Sequence, residues 1–287
     1  NLDPKMLRSG QAGSVMNATG ALSGQGSSAS TSAEVCNYLQ KLALESRLKI
    51  PSLFGRDLIH GYRTIFPIPL AEAAAFDPDL SERAARAVAR ETSAGGLHWT
   101  FAPVVDVARD QRWGRTMEGA GEDVLLGNLF AAARVKGFQG KSLDANDAVM
   151  ACVKHFATYD GAEAGLDYNT VDVSERTLRE VYLPPYKAGF DAGAMTGMAS
   201  FNEISGVPAH GNPWLLQKIL RDEWGFQGFI VGDYTLASQG APESRSHQRI
   251  GWDPLEGVLR SWTFDSDGGF STGEWVPTEA GWVVKTE

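Results

Sequence analysis

Several things are scarce in this sequence, and each scarcity argues against a class of protein. There are two cysteines in 287 residues, Cys36 and Cys152. Two so far apart make neither a disulfide framework nor a zinc site. They read as buried thiols, since cysteine outside a disulfide is among the most buried residue types. No stretch reaches the roughly 18 apolar residues of a membrane span. The N-terminus has no basic-then-apolar leader text. It opens on Asn1 and not on Met, the start expected of a processed or truncated chain. Positive charge is also short, with 26 basic against 35 acidic residues and a net charge of −9. A nucleic-acid binder needs a basic face to displace counterions, so that partner is disfavoured. The balance suits a protein that handles neutral molecules, although solubility alone would explain it.

What is present describes a folded chain. Hydrophobic residues make up 43%, enough for a sizeable core. The length fits one large domain or two modest ones. A strand is predicted at 13–17, followed by a Gly/Ser/Thr/Ala-rich loop over 20–32. Helical spacing of Val35, Leu39 and Leu42 marks a helix from about 33 to 46. Ile50 to Gly55 reads as a short buried strand. A well-punctuated helix spans 77–95, with Asp77 as N-cap, Pro78 in the first position and Gly95-Gly96 as terminator. Strands follow at 99–107, 149–154, 195–201 and 229–231, with helices predicted at 121–138, 174–192 and from Asn212-Pro213 to Gly225. Pro184-Pro185 should disturb the second of these helices.

Strands alternating with helices through short connections imply a parallel sheet. Six such strands before residue 234 favour a TIM-like (β/α) barrel over an open doubly wound sheet, although a full barrel needs eight. The barrel is therefore expected to be incomplete at its C-terminus. Residues 1–239 are assigned to it and 240–287 to a divergent tail. That tail holds four of the eight tryptophans and little periodicity. Only 254–264 looks helical there, and Gly281 to Lys285 reads as a strand.

In parallel barrels function collects at the C-terminal ends of the strands. The polar residues at those places are Asp57, Lys154-His155, Asn202 and Asp233. Asp233 follows the apolar run Phe229-Ile230-Val231-Gly232. A carboxylate there can be a nucleophile, a metal ligand or a helix N-cap. No ligand spacing favours the metal. Lys154-His155 suits sugar hydroxyls or a phosphate, and equally a solvated strand end. Asp57 suits paired hydroxyls, since a carboxylate accepts two at once, and equally a loop cap. The stretch 109–115 mixes three arginines with Trp113, and an arginine beside a carboxylate keeps it ionised.

These motifs resemble, in order, those of glycoside hydrolase family 3, and most closely its bacterial periplasmic β-glucosidase branch. The matching text includes Leu44–Leu48 with Ile50-Pro51, Gly55-Arg56-Asp57, His60–Pro67 and Phe101–Asp106. It continues through Arg112-Trp113-Gly114-Arg115, Gly121-Glu122-Asp123, Val153–Phe156, Tyr168–Asp172 and Gly228–Asp233. Agreement runs from about 7 to 235. The resemblance implies a retaining hydrolase that removes terminal β-linked glucose from small β-glucosides or cello-oligosaccharides. It implies Asp233 as nucleophile, and Asp57, Arg115, Lys154 and His155 as the grip on the sugar. Tyr234 stands where the family has an aromatic residue. Phe201 stands where many members have Tyr, and it lacks that hydroxyl. Gly232 replaces a common Ser.

The general acid in this branch resembles a Glu from a second, C-terminal domain. Glu243, Glu256, Glu274 and Glu279 lie in the tail, and no motif selects one. The tail is either a frameshifted or fragmentary ending or a genuine divergent one that closes the barrel. A single-domain aminosugar branch carries a His-Asp loop after the Lys-His-Phe motif, and residues 157–163 hold no His. The alternatives are a β-xylosidase, a catalytically incomplete sugar-binding chain, and an open-sheet phosphate binder using Lys154 and Arg115. The last lacks a Gly-rich phosphate loop. No metal or organic cofactor is expected. The resemblance implies a periplasmic or secreted location. Apolar edges of an incomplete barrel make a homo-oligomer a further expectation.

Overall fold

The computed structural model describes residues 4–16, 29–232, 246–253, 258–265, 270–278 and 281–286, with side chains over 4–16 and 33–232. All six strands expected before residue 234 are present: β1 (Ser14–Met16), β2 (Leu53–Arg56), β3 (Trp99–Thr100), β4 (Cys152–Phe156), β5 (Thr196–Ala199) and, after the hairpin below, Phe229–Gly232. The hairpin pairs β6 (Glu203–Ile204) with β7 (Val207–Pro208), so Phe229–Gly232 is β8. Its turn residues Ser205 and Gly206 both have positive φ, as a tight two-residue turn requires.

Every pair among the six long-range strands is parallel: β1 with β2, β2 with β3, β4 with β5, and β5 with β8. Isolated parallel bridges, Trp99 to Met150 and Val104 to Lys154, join the two three-stranded sheets. The expected strand over 99–107 is regular only at Trp99–Thr100. Pro103 has no N–H to give the ladder, and its carbonyl accepts from Lys154 N instead. Strand order follows chain order throughout. Among the described residues β1 and β8 do not pair, so the sheet is not closed.

The helices lie where their caps predict. The labels are α1 (Pro4–Arg8), α2 (Ala29–Leu44), α3 (Pro69–Ala73), α4 (Pro78–Ala94) and α5 (Val124–Gln139). Asp77 accepts from Leu80 N at 3.0 Å to start α4, and Asp123 accepts from Leu126 N at 2.7 Å to start α5. The two helices pack closely: a Cβ on Gly137 would meet the Glu82 carbonyl at 2.4 Å. The next helix, α6, covers 175–191 in three continuous pieces. Its middle piece, Leu178–Tyr182, has the wider π turn, and Leu183 N reaches back to the Leu178 carbonyl. Pro184 and Pro185 follow at once and lack the N–H groups an α-helix would use there. Helix α7 (Trp214–Glu223) starts where Asn212 Oδ1 accepts from Leu215 N.

The sheet is buried on both faces, as a parallel sheet must be. One face carries Trp99, Phe101, Cys152, Met198 and Val231 as a single apolar cluster. The larger core lies between sheet and helices and includes Val88, Val135, Phe138, Val153 and Tyr186. Cys36 and Cys152 are both buried, and burial pushes the Cys36 thiol up to about 11.

The tail departs from expectation. Residues 258–265, assigned to a helix over 254–264, form a strand. Four antiparallel strands, β9 (Ser246–Asp253), β10 (Val258–Asp265), β11 (Phe270–Thr278) and β12 (Gly281–Thr286), pair in sequence. The text of β10 is rich in β-branched and aromatic residues, and Ser266-Asp267-Gly268-Gly269 after it is turn chemistry. Those signals outweigh a weak helical spacing. The strand expected at Gly281 to Lys285 is present. The boundary at 239/240 and most of the loop at 20–32 lie outside the described residues. No helix among the described residues is long and apolar enough to cross a membrane.

Candidate active site

The functional residues expected from sequence gather around the ends of β2, β4 and β5. Asp57 follows the last residue of β2, and Lys154 lies inside β4. Lys154 Nζ donates to Asp57 Oδ2 at 2.7 Å. The lysine side chain is only 3% exposed while the aspartate is 49% exposed. A nearly dehydrated ammonium needs a carboxylate partner, and Asp57 supplies it while keeping lone pairs toward solvent. The other Asp57 oxygen accepts from Ile59 N at 3.3 Å, which fixes the loop after β2. Gly61, at φ +112° and close to the Thr64 carbonyl, lets that loop turn sharply.

His155 is wholly buried. It does not open to solvent as a strand-end residue would. Its Nδ1 stands 2.9 Å from Asp106 Oδ2, and its backbone N–H donates to the same oxygen at 3.1 Å. The Tyr186 hydroxyl lies 2.5 Å from Asp106 Oδ1 and 2.7 Å from the His155 carbonyl.

Tyr159 is the hub of an aromatic group beside this pair. Its ring meets His155 edge-on at 5.0 Å, Trp113 at 5.4 Å and Phe201 at 5.4 Å. The Arg115 guanidinium sits 5.5 Å from its centre. Arg115 is also bidentate on Glu118, at 2.9 and 2.7 Å. Burial opposes the arginine's charge, but the Glu118 pairing outweighs it and keeps the guanidinium protonated. Phe201 also packs on the exposed Tyr168 ring at 5.1 Å. The structure thus brings Arg115, His155 and Phe201 together through Tyr159, and Asp57 with Lys154. Asp233 and Tyr234 lie outside the described residues. Gly232, immediately before them, pairs with Ala199 at the end of β5.

Sequence reading missed Asp106, Tyr159, Asp160 and Tyr186 as site residues. A signal existed for Asp106, a lone acid within the apolar run Val104-Val105-Asp106-Val107-Ala108. A buried acid is retained only with partners. Nothing local marks Tyr186, which comes from α6. Asp160 is buried beside this network, and burial, then the Asp106 charge, push its carboxyl well above the usual carboxylate range. Its protonated form therefore stabilises the fold below the ordinary value of 3.8, and that contribution is lost as pH rises through the folded-state pKa. Asp160→Asn, which cannot ionise, is expected to melt progressively higher than the parent as pH is raised. Thermal scans from pH 4 to pH 9 measure this, and a constant offset across the series would contradict it.

Residues 2–249 match the model of the glycosyl hydrolase family 3 N terminal domain. The chain belongs to glycosyl hydrolase family 3. Over 230 residues it is 43% identical to the periplasmic beta-glucosidase of Salmonella typhimurium, covering 80% of this chain and 29% of that protein. It is 38% identical over 213 residues to a beta-xylosidase of Formosa agariphila, covering 70% of this chain and 30% of that one. Among solved structures it is similar to the beta-glucosidase of Listeria innocua in complex with isofagomine, with a TM-score of 0.72 and 42% identity over 79% of this chain and 30% of that chain. The exo-1,3/1,4-beta-glucanase of a Pseudoalteromonas species gives a TM-score of 0.76 at 34% identity, over 81% of this chain and 31% of that one. The chain spans under a third of the length of each of these relatives.

Proposed function

We propose that this family 3 chain carries the nucleophile half of a β-glucosidase site on a (β/α) barrel, with 1–239 as the barrel domain and 240–287 as a separate ending. Strands in unbroken chain order support the barrel, because an open doubly wound sheet reverses its order. The change from parallel to antiparallel pairing supports the division. Asp233 attacks the anomeric carbon and forms a glycosyl-enzyme, which water then hydrolyses with net retention. A carboxyl group about 5–5.5 Å from it protonates the leaving oxygen. None of Glu243, Glu256, Glu274 and Glu279 is assigned that task.

The observation that carries the reading is the Asp57–Lys154 ion pair, which joins the end of β2 to β4 across the intervening β3 segment. A half-exposed carboxylate backed by an ammonium accepts two sugar hydroxyls, and the ammonium donates to a third. His155, Arg115 and Phe201 line the same site, and Tyr234, next to the nucleophile in sequence, is a further candidate contact to the sugar. The named activities of the Salmonella and Listeria relatives support glucose as the substrate sugar, and the Salmonella protein's name supports a periplasmic location.

The test is hydrolysis of dinitrophenyl β-glucoside and β-xyloside, whose phenol leaves without a proton. Faster glucoside turnover with the β-anomer formed first, followed by NMR, is expected. Faster xyloside turnover would move the assignment to a β-xylosidase. Glucose binding without turnover of either substrate would leave a sugar-binding chain.

A further inference from the structure

The mechanism as stated makes no use of Asp106 or Tyr186, although both are buried against His155. Asp106 Oδ2 receives two contacts from one residue, the backbone N–H and Nδ1 of His155, at 3.1 and 2.9 Å. Oδ1 is held by the Tyr186 hydroxyl at 2.5 Å. That hydroxyl also lies 2.7 Å from the His155 carbonyl, so its single hydrogen is shared between carboxylate and backbone and the three groups form one clamp. The three residues come from the segment after β3, from β4 and from α6, so the clamp ties three separate parts of the fold to one imidazole.

The chemistry of the clamp is directional. Oδ2 already accepts the His155 backbone N–H, so it meets Nδ1 as an acceptor and that nitrogen carries hydrogen. Nδ1 is therefore committed as a donor to Asp106, and Nε2 is the ring nitrogen through which the imidazole serves other groups. Burial, then the Asp106 charge, keep the Tyr186 phenol protonated, which preserves it as a donor to the clamp. We propose that Asp106 and Tyr186 are positioning residues that fix His155 in the Nδ1–H form and present Nε2 to the sugar. This rests on the glycosidase reading above for its purpose, but the tautomer itself does not.

The test separates the two. Histidine-selective ¹⁵N labelling gives five imidazoles to resolve, and His155→Gln identifies the signal of His155. The parent is expected to show hydrogen on Nδ1. Asp106→Leu keeps the bulk but removes the acceptor that faces Nδ1, and should release the hydrogen to Nε2. With that change, kcat/KM on dinitrophenyl β-glucoside should fall roughly 10–100-fold, the range for groups that orient a working imidazole. The loss should fall mainly in kcat, measured per folded protein.

Tyr186→Phe deletes one hydroxyl and carries the test if Asp106→Leu fails to fold. It should keep hydrogen on Nδ1, shift that proton's resonance upfield as the bond weakens, and lower kcat/KM by a smaller factor. A His155 spectrum unchanged in both variants overturns the proposal, as does a switched tautomer with parental kinetics. If the parent shows the Nδ1–H signature and hydrolyses nothing, the glycosidase reading falls and the clamp stands on the spectrum.

Discussion

Replacing Asp233 by Ala should stop hydrolysis of dinitrophenyl β-glucoside, with kcat reduced on the order of 10⁴-fold or more, as expected when a covalent nucleophile is removed. The activated phenol isolates this step, because its departure needs no general acid. Sodium azide sharpens the result. Alanine leaves a space where the carboxylate stood, and azide entering it attacks the anomeric carbon from the same face as the lost carboxylate. The expected product is an α-glucosyl azide, inverted relative to the substrate, with turnover partly restored. A helix cap, or a carboxylate that only binds a hydroxyl, would leave no such signature, and the β-anomer formed first by the parent separates a nucleophile from a base on that face. Full activity in Asp233→Ala would remove the assignment. Cellobiose then reports on the missing partner. Its leaving glucose needs a proton, and general acid catalysis contributes about 10²–10⁴-fold. Turnover of the aryl substrate with cellobiose left intact would mean that the nucleophile half works and the acid comes from elsewhere. Turnover of both would place the acid within this chain.

Much of this architecture was legible from local signals, because those signals are short-range. The α4 boundaries followed from Asp77, Pro78 and Gly95, which act on the nearest turn and need no tertiary contact. The six strands were legible because a sheet buried on both faces leaves continuous apolar runs. Tertiary pairings were not legible. Lys154 and His155 are adjacent in sequence, and both read as residues of one strand end, turned toward a sugar or phosphate or else toward solvent. In the fold one pairs with Asp57 and the other turns inward to Asp106, which is decided by residues 97 and 49 positions away. Tyr186 reaches Asp106 from 80 positions away, a distance that spacing does not encode. The error at 258–265 had the opposite origin. Helical periodicity was weighed above β-branched and aromatic content and the Ser-Asp-Gly-Gly sequence that follows, although a short apolar run fits either period.

Glu72→Ala should cost about 3–5 kcal/mol, the penalty for leaving one member of a buried ion pair alone. Arg134 and Glu72 lie 3.0 Å apart, with side chains 8% and 6% exposed. Ser81 donates to the same Glu72 oxygen at 2.6 Å, and the second guanidinium nitrogen donates to the Ile59 carbonyl at 3.0 Å. Burial lowers the pKa of Arg134, and Glu72 restores only part of that. The pair is thus not a large net source of stability, but each half needs the other. In Glu72→Ala the guanidinium keeps its desolvation and loses its counter-charge. A total stability of about 5–15 kcal/mol makes this loss large. The double variant Glu72→Met, Arg134→Met removes both charges and should recover most of it, since apolar replacement of a buried pair is often neutral or better. Urea midpoints measure both, and a double variant no more stable than the single one would refute the account. Function should not follow stability here. Ile59 N holds Asp57 Oδ1, and the Ile59 carbonyl is held by Arg134. The double variant should regain its fold but lose the anchor of the Asp57 loop. Its KM for the aryl glucoside should therefore stay several-fold above the parent's even where its urea midpoint is restored.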